Sequence, residues 1–319
     1  MRLELRLKIP KKVGFQATFL GVSQAKYRSS EAFLLFSQSI PSQNLGFVDS
    51  KATSLDLTIG DRDLIIHQSP TILSSNRGGG TTGAGKLHCV DASAAWLKCA
   101  VVWKITPLFA SWITSSSNPL FKHGVLDSNS NVLELGCGIS GIIGLTLGPL
   151  VASYVLTDQD YVMKLLNQNL TENCQDTSST SKGRKSSAKP KRGSAPVNAI
   201  QKSTNVIGKS LDWETDEVTP SLSNSGSFDA VIACDCIYND ALIQPLVQTC
   251  IDACKLRSSA TGESPTICVV AQQLRSDEVF EAWLKAFNKA FRVWRIPDEE
   301  LIDGLKSDSG FVVHIGILR

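Results

Sequence analysis

Residues 131–144 read NVLELGCGISGIIG. The apolar run NVLEL leads straight into Gly136, Gly138 and Gly141, which together make a complete G-x-G-x-x-G. Glycines at this spacing let the backbone approach a ligand and let a strand and the following helix pack closely. The stretch therefore predicts a strand, a glycine turn and a helix that begins near Ser140.

Outward from this turn, short apolar runs alternate with stretches of helical spacing. The runs are SYVLTD (153–158), FDAVIACD (228–235), TICVVAQQ (266–273), FRVWRIP (291–297) and FVVHIGIL (311–318). Between them, helices are predicted over 142–150, 161–173, 241–256 and 277–290. The last of these brings Val279, Phe280, Trp283, Leu284, Phe287 and Phe291 to one face. Alternation of this kind predicts right-handed β-α-β units and a mostly parallel sheet covered on both faces, an α/β fold. Upstream, TSLDLTIGDRDLIIHQ (53–68) alternates apolar and polar residues around Gly60-Asp61 and predicts a β-hairpin ahead of the main sheet. Residues 1–83 read as an N-terminal extension carrying that hairpin, and 100–319 as the main domain. Trp283 and Trp294 are expected to pack in the core.

The bulk properties exclude more than they assign. A chain of 319 residues with 42% hydrophobic and 19% charged side chains suits a soluble globular protein. Its net charge of +2 favours no class of partner. No apolar run approaches the roughly 18 residues needed to span a bilayer, and MRLELRLKIPKKVGF lacks the continuous apolar core of a secretory signal. No membrane partner is expected. The nine cysteines include no C-x-x-C pair and the four histidines are scattered. That predicts a reducing compartment, cytoplasmic or also nuclear, with no metal site and no disulfide framework; Cys268, inside TICVVA, reads as a small core hydrophobe. Residues 175–203 are rich in Ser, Lys and Pro and read as a disordered basic insert. Its run KGRKSSAKPKR is the one place where direct nucleic-acid contact or nuclear import would be looked for. A monomer is expected.

A second glycine-rich stretch, GGGTTGAGKL (78–87), comes close to a triphosphate-binding loop, with Gly80 to Lys86 matching G-x-x-x-x-G-K. Leu87 stands where a Ser or Thr should hold magnesium, and the polar QSPTILSSNRGG precedes it in place of a strand. The loop at 136–141 is the one in the right context. Asp158 ends the next run about twenty residues on, where a carboxylate can accept the hydroxyls of a ribose. To this point a dinucleotide and S-adenosylmethionine fit equally.

Glu134, two residues before the first glycine, separates them. A carboxylate there would repel a pyrophosphate in a poorly solvated cleft, whereas it attracts the ammonium and sulfonium of S-adenosylmethionine. Asp235 ends the run FDAVIACD and Tyr238 follows three residues later. Ligands of open α/β sheets bind outside the carboxyl ends of the strands, so Asp235 is expected to face the same crevice as Glu134 and Asp158. LDW (211–213) puts an indole where an adenine ring can stack.

In this order, ELGCG, the TD at 157–158, LDW and DCIY resemble the seven-β-strand class I S-adenosylmethionine-dependent methyltransferases, within them the protein-lysine methyltransferases marked by a D-x-x-Y motif. VVW (101–103) is similar to a Trp-bearing segment of that branch. The early hairpin and GTTG (80–83) resemble the fungal ribosomal lysine methyltransferase 5 group, over roughly residues 46–319. The resemblance implies a Rossmann-like seven-stranded sheet and S-adenosylmethionine as cofactor. It further implies that the protein substrate is a large-subunit ribosomal protein. Cofactor contacts are implied for Trp103, Glu134, Gly136, Cys137, Gly138, Asp158, Trp213 and Cys234. Asp235 would orient the target lysine and accept its proton, and Tyr238 would wall the lysine channel. The chain departs from the family pattern at 84–99, AGKLHCVDASAAWLKC, which separates GTTG from AVVW and reads as an insertion.

Overall fold

A computed structural model describes residues 30–41, 46–69, 101–174, 205–257 and 264–319. The basic insert, the GTTG loop and the segment 84–99 lie outside the described residues. In chain order the elements are helix α1 (Ser30–Phe36), the hairpin strands β1 (Ser54–Ile59) and β2 (Arg62–His67), and helices α2 (Ile105–Ile113) and α3 (Pro119–Lys122). Then come β3 (Asn131–Leu135), α4 (Ile142–Leu147), β4 (Ser153–Asp158), α5 (Asp160–Cys174), β5 (Val206–Ser210), β6 (Ala230–Cys234) and α6 (Asp240–Lys255). The chain ends with β7 (Ile267–Gln273), α7 (Asp277–Ala290), β8 (Phe291–Arg295) and β9 (Phe311–Leu318).

Strands β3 to β9 form one seven-stranded sheet in the order β5-β4-β3-β6-β7-β9-β8. Pairing is parallel from β5 through β7, and antiparallel only where β9 inserts between β7 and β8. The strand order reverses between β3 and β6, which opens a crevice at their carboxyl ends. Both faces are covered, so the central strands read as continuous apolar runs. Their residues nonetheless sort by period two. Ala230, Ile232, Ile267 and Val269 join the core under α2, α4, α5 and the hairpin, while Val231, Ala233, Cys268 and Val270 join the core under α1, α6 and α7. Cys268 is wholly buried and its sulfur lies 3.5 Å from that of Cys254, a contact between free thiols.

The hairpin forms its own two-stranded sheet, turning at Gly60 and Asp61. Its free edge is not left bare. Asn169 and Asn173, one turn apart on α5, each exchange a pair of hydrogen bonds of 2.8–2.9 Å with the backbone of His67 and Ile65. Two helical amides thus satisfy the edge strand as a neighbouring strand would.

Helix α4 is shorter than its sequence suggests. It starts at Ile142, capped by left-handed Gly141, and gives way to a 3-10 turn at Gly148, next to Pro149. Helix α7 matches its predicted span, with the Ser276 hydroxyl accepting from the Val279 N–H at its start. Trp283 is buried and stacks on Phe287, ring centroids 5.2 Å apart. Trp294, expected in the core, is only partly buried, because β8 is the outermost strand of the sheet.

Candidate active site

The glycine turn after β3 is built on left-handed backbone, with φ near 65° at Gly136, 62° at Gly138 and 58° at Gly141. It is pinned to β4 by the Cys137 N–H, which donates to the Thr157 carbonyl at 3.1 Å. The Gly138 N–H donates to Asp158 Oδ2, and the Gln159 N–H to Oδ1, both at 2.8 Å. Burial raises the Asp158 carboxyl to about 6, and these two N–H bonds hold it from rising further. Glu134 points inward from β3, 2% exposed, and accepts a 2.7 Å hydrogen bond from the Tyr154 hydroxyl. Burial pushes its carboxyl up to about 8, against the Tyr154 bond and with a smaller push from the Asp158 charge.

Across the crevice, Asp235 follows β6 in a left-handed conformation, φ 61°, the one non-glycine residue with positive φ among the described residues. Such a backbone is costly for a residue with a side chain and persists where the surroundings fix it. Here the Asp235 N–H donates to the Ala271 carbonyl at 2.8 Å, and Arg275 grips both carboxylate oxygens at 2.6 Å. Each carboxylate oxygen thus holds a charge-assisted bond, and Oδ1 also accepts from the Gln273 N–H at 3.3 Å.

Every residue singled out from the sequence as a site residue lines one cavity of about 520 Å³: Trp103, Glu134, Gly136, Cys137, Gly138, Asp158, Trp213, Cys234, Asp235 and Tyr238. Trp213 lies against the glycine turn, and its indole N–H is buried without a protein partner. Burial raises the Cys234 and Cys236 thiols well above their ordinary value. Neither is a thiolate nucleophile at neutral pH. Among lining residues the sequence reading missed are Arg275, Cys236 and Thr106. No motif marks Arg275, which stands between the end of β7 and the cap of α7.

A protein family described as lysine methyltransferase matches residues 93–184 and 194–287. The chain belongs to this family. It is 31% identical over 207 residues to the ribosomal lysine N-methyltransferase 5 of Zygosaccharomyces rouxii, covering 58% of this chain and 62% of that one. To the counterpart from Candida glabrata it is 23% identical over 302 residues, 78% of this chain and 84% of that one. A Schizosaccharomyces pombe protein named diaminohydroxyphosphoribosylamino-pyrimidine deaminase is 29% identical over 258 residues. That match takes in 81% of this chain but spans only half the length of the S. pombe protein. Among solved structures, the N-methyltransferase NodS of Bradyrhizobium japonicum, in complex with S-adenosyl-L-homocysteine, matches at 12% identity and a TM-score of 0.36, over 59% of this chain and 78% of that one.

In this lysine methyltransferase family member the two glycines of ELGCG do different work. A Cβ at Gly136 would lie 2.7 Å from Cys236 Sγ and 3.0 Å from the Trp213 ring, whereas one at Gly138 meets no protein atom within 4 Å. Gly136→Ala is therefore expected to cost about 2–4 kcal/mol, from left-handed strain and overpacking together. Gly138→Ala should cost about 1–2 kcal/mol, from strain alone. Denaturant melts of the two variants check the difference; equal losses would mean that Trp213 and Cys236 do not rest on the turn.

Proposed function

We propose that the chain transfers a methyl group from S-adenosyl-L-methionine to the side-chain amine of a lysine in a protein, a ribosomal protein being its substrate class. The observation that carries this reading is one cavity lined by two chemically distinct sets of groups. Glu134, the open face of Gly138, Asp158 and the Trp213 indole make one set, read as the cofactor end; Asp235 and Tyr238 make the other, read as the amine end. The first set fits the cofactor. Glu134 suits the methionyl ammonium, Asp158 the ribose hydroxyls, and Trp213 offers a ring face to an adenine. S-adenosylmethionine, when bound, supplies an electrophilic methyl group on a sulfonium.

The residues at the other end align and desolvate an incoming amine. A lysine attacks only as the neutral amine, which costs about 4–5 kcal/mol at pH 7 from a reference pKa near 10.4. A neighbouring sulfonium lowers that cost by disfavouring the ammonium. Asp235 orients the amine through a hydrogen bond, and half-buried Tyr238 narrows the approach. The ribosomal substrate follows the name of the Z. rouxii and C. glabrata relatives, and it suggests an enzyme at work in the cytoplasm.

The deaminase name of the S. pombe relative is not favoured for this chain. Zinc-dependent base deaminases use a C-x-x-C pair, and no such pair occurs in the sequence. The reading is tested by incubating the protein with tritiated-methyl S-adenosylmethionine and a ribosome-containing lysate, then locating the label by mass spectrometry. Label on a lysine of a ribosomal protein is the expected result. Label on RNA or a small molecule, or no label despite cofactor binding, would refute it. Asp158→Ala should weaken S-adenosylmethionine binding by about 1.5–3 kcal/mol, the worth of hydrogen bonds to a charged group. Calorimetry that finds unchanged affinity would place the ribose elsewhere.

A further inference from the structure

Arg275 is 40 residues from Asp235 in sequence and contacts two other lining residues of the cavity, Asp235 and Trp103. Its guanidinium forms a parallel two-bond pair with Asp235, whose side chain is 2% exposed. The same guanidinium lies over the Trp103 ring, with Cζ 4.8 Å from the ring centroid, in a cation–π contact. Trp103 in turn packs against Phe47, centroids 4.6 Å apart. These two residues form an antiparallel bridge, flanked by Val48 N–H to Val102 carbonyl at 3.0 Å and Lys104 N–H to Gly46 carbonyl at 2.8 Å.

Gly46 makes the stack possible. Its backbone is left-handed, φ 85°, and a Cβ there would run into Gln273 Oε1 and come within 2.9 Å of Arg275 Nη2. Asp235, Arg275, Trp103 and Phe47 thus make a continuous column of contacts, three of its members lining the cavity. A lysine could supply the charge at the centre of this column. It could not supply the planar fork that grips two oxygens and stacks on an indole at once.

We propose that Arg275 is a positioning residue for methyl transfer, fixing the Asp235 carboxylate in one orientation at the amine end while holding Trp103 over the cofactor end. The inference rests on the function proposed above. It adds that the two ends are coupled through one guanidinium. With Asp235 committed to Arg275, the proton of the substrate ammonium leaves to solvent, and Asp235 acts by direction and charge.

The test uses the full chain with Arg275→Ala, Arg275→Lys, Arg275→Gln, Asp235→Asn and the double variant Asp235→Asn/Arg275→Gln, which removes both charges of the pair and so guards against misfolding. Cofactor affinity is measured by calorimetry, and kcat per folded molecule from the fraction folded in thermal melts. Arg275→Ala should lower kcat about a hundredfold and weaken S-adenosylmethionine about fivefold to tenfold. Arg275→Lys should fall between it and the natural chain. Added guanidinium at millimolar concentration should restore part of the activity of Arg275→Ala and none of that of Asp235→Asn. In the double variant the losses should not multiply, because Arg275 acts through Asp235. A lower melting temperature with unchanged kcat per folded molecule and unchanged affinity would assign Arg275 a purely structural role and overturn the proposal, as would multiplying losses. If the natural chain binds S-adenosylmethionine yet methylates no lysine, the functional reading fails, while the affinity of Arg275→Ala still decides whether Arg275 supports the cofactor cover. If the natural chain binds no cofactor, both fall.

Discussion

Replacing Asp235 by Asn is expected to reduce methyl transfer to a protein lysine by about a hundredfold to a thousandfold, equivalent to roughly 3–4 kcal/mol of barrier, while S-adenosylmethionine affinity stays within a few-fold. Asn is the informative substitution because it keeps the size of the side chain and tolerates left-handed backbone, and Asp235 sits at φ 61°. Ala at this position would add strain to the loss of charge. The rate falls because the Arg275 cation, no longer neutralised, would lie close to the approach of a second cation, the substrate ammonium. Cofactor affinity holds because Arg275 can still stack on Trp103, and Glu134, Asp158 and Trp213 belong to the other end of the cavity. Single-turnover methylation together with calorimetry separates the two effects. A variant with full kcat would remove Asp235 from the chemistry; one that loses cofactor binding as well would move it to the cofactor end.

The half of the site that was legible in the sequence is the half built from strand ends. Glu134 lies one residue before the end of its apolar run, Asp158 closes its own and Asp235 follows its own, and an open parallel sheet places such residues at one crevice whatever its loops do. The alternation of runs and helices likewise carried the sheet, since strands covered on both faces must be apolar throughout. What was not legible depends on contacts between distant segments. Arg275 sits in LRSDE, which reads as a polar helix start, and only the pairing of β6 with β7 brings it opposite Asp235. Helix α2, ITPLFASWI, is nearly apolar all round with Pro107 in its first turn, so periodicity gave no helical face to read. The amides of Asn169 and Asn173 looked like an ordinary polar helix face, yet they hold the hairpin edge. The Asp235 assignment shows the limit of motif reading: D-x-x-Y locates the carboxylate but says nothing of the cation that claims its oxygens.

Glu134→Gln should move stability and cofactor binding in opposite directions. Burial raises the Glu134 carboxyl from its ordinary 4.5 to about 8, and Asp158 from 3.8 to about 6. Both groups hold their protons more tightly in the folded chain than in the unfolded one. By linkage, the stability they contribute is fully present below about pH 4 and is lost as pH rises, through about 6 for Asp158 and about 8 for Glu134. For Glu134 alone the loss above pH 8 is at most about 5 kcal/mol, at 1.36 kcal/mol per unit. A neutral Gln has no such cost, so the cofactor-free variant should melt higher than the natural chain at pH 8.5 and not at pH 5. Binding runs the other way. A methionyl ammonium beside Glu134 favours the ionised carboxylate, so the cofactor binds with release of a proton below pH 8, and affinity rises with pH up to that point. Gln cannot supply the charge. Its affinity for S-adenosylmethionine should be about tenfold to a hundredfold weaker at pH 8, the worth of one charge-assisted bond, and nearly flat between pH 6 and 8. Calorimetry in two buffers of different ionisation enthalpy counts the released proton directly. A natural chain whose affinity does not vary over that range, with no proton released, would mean that the ammonium is not held by Glu134.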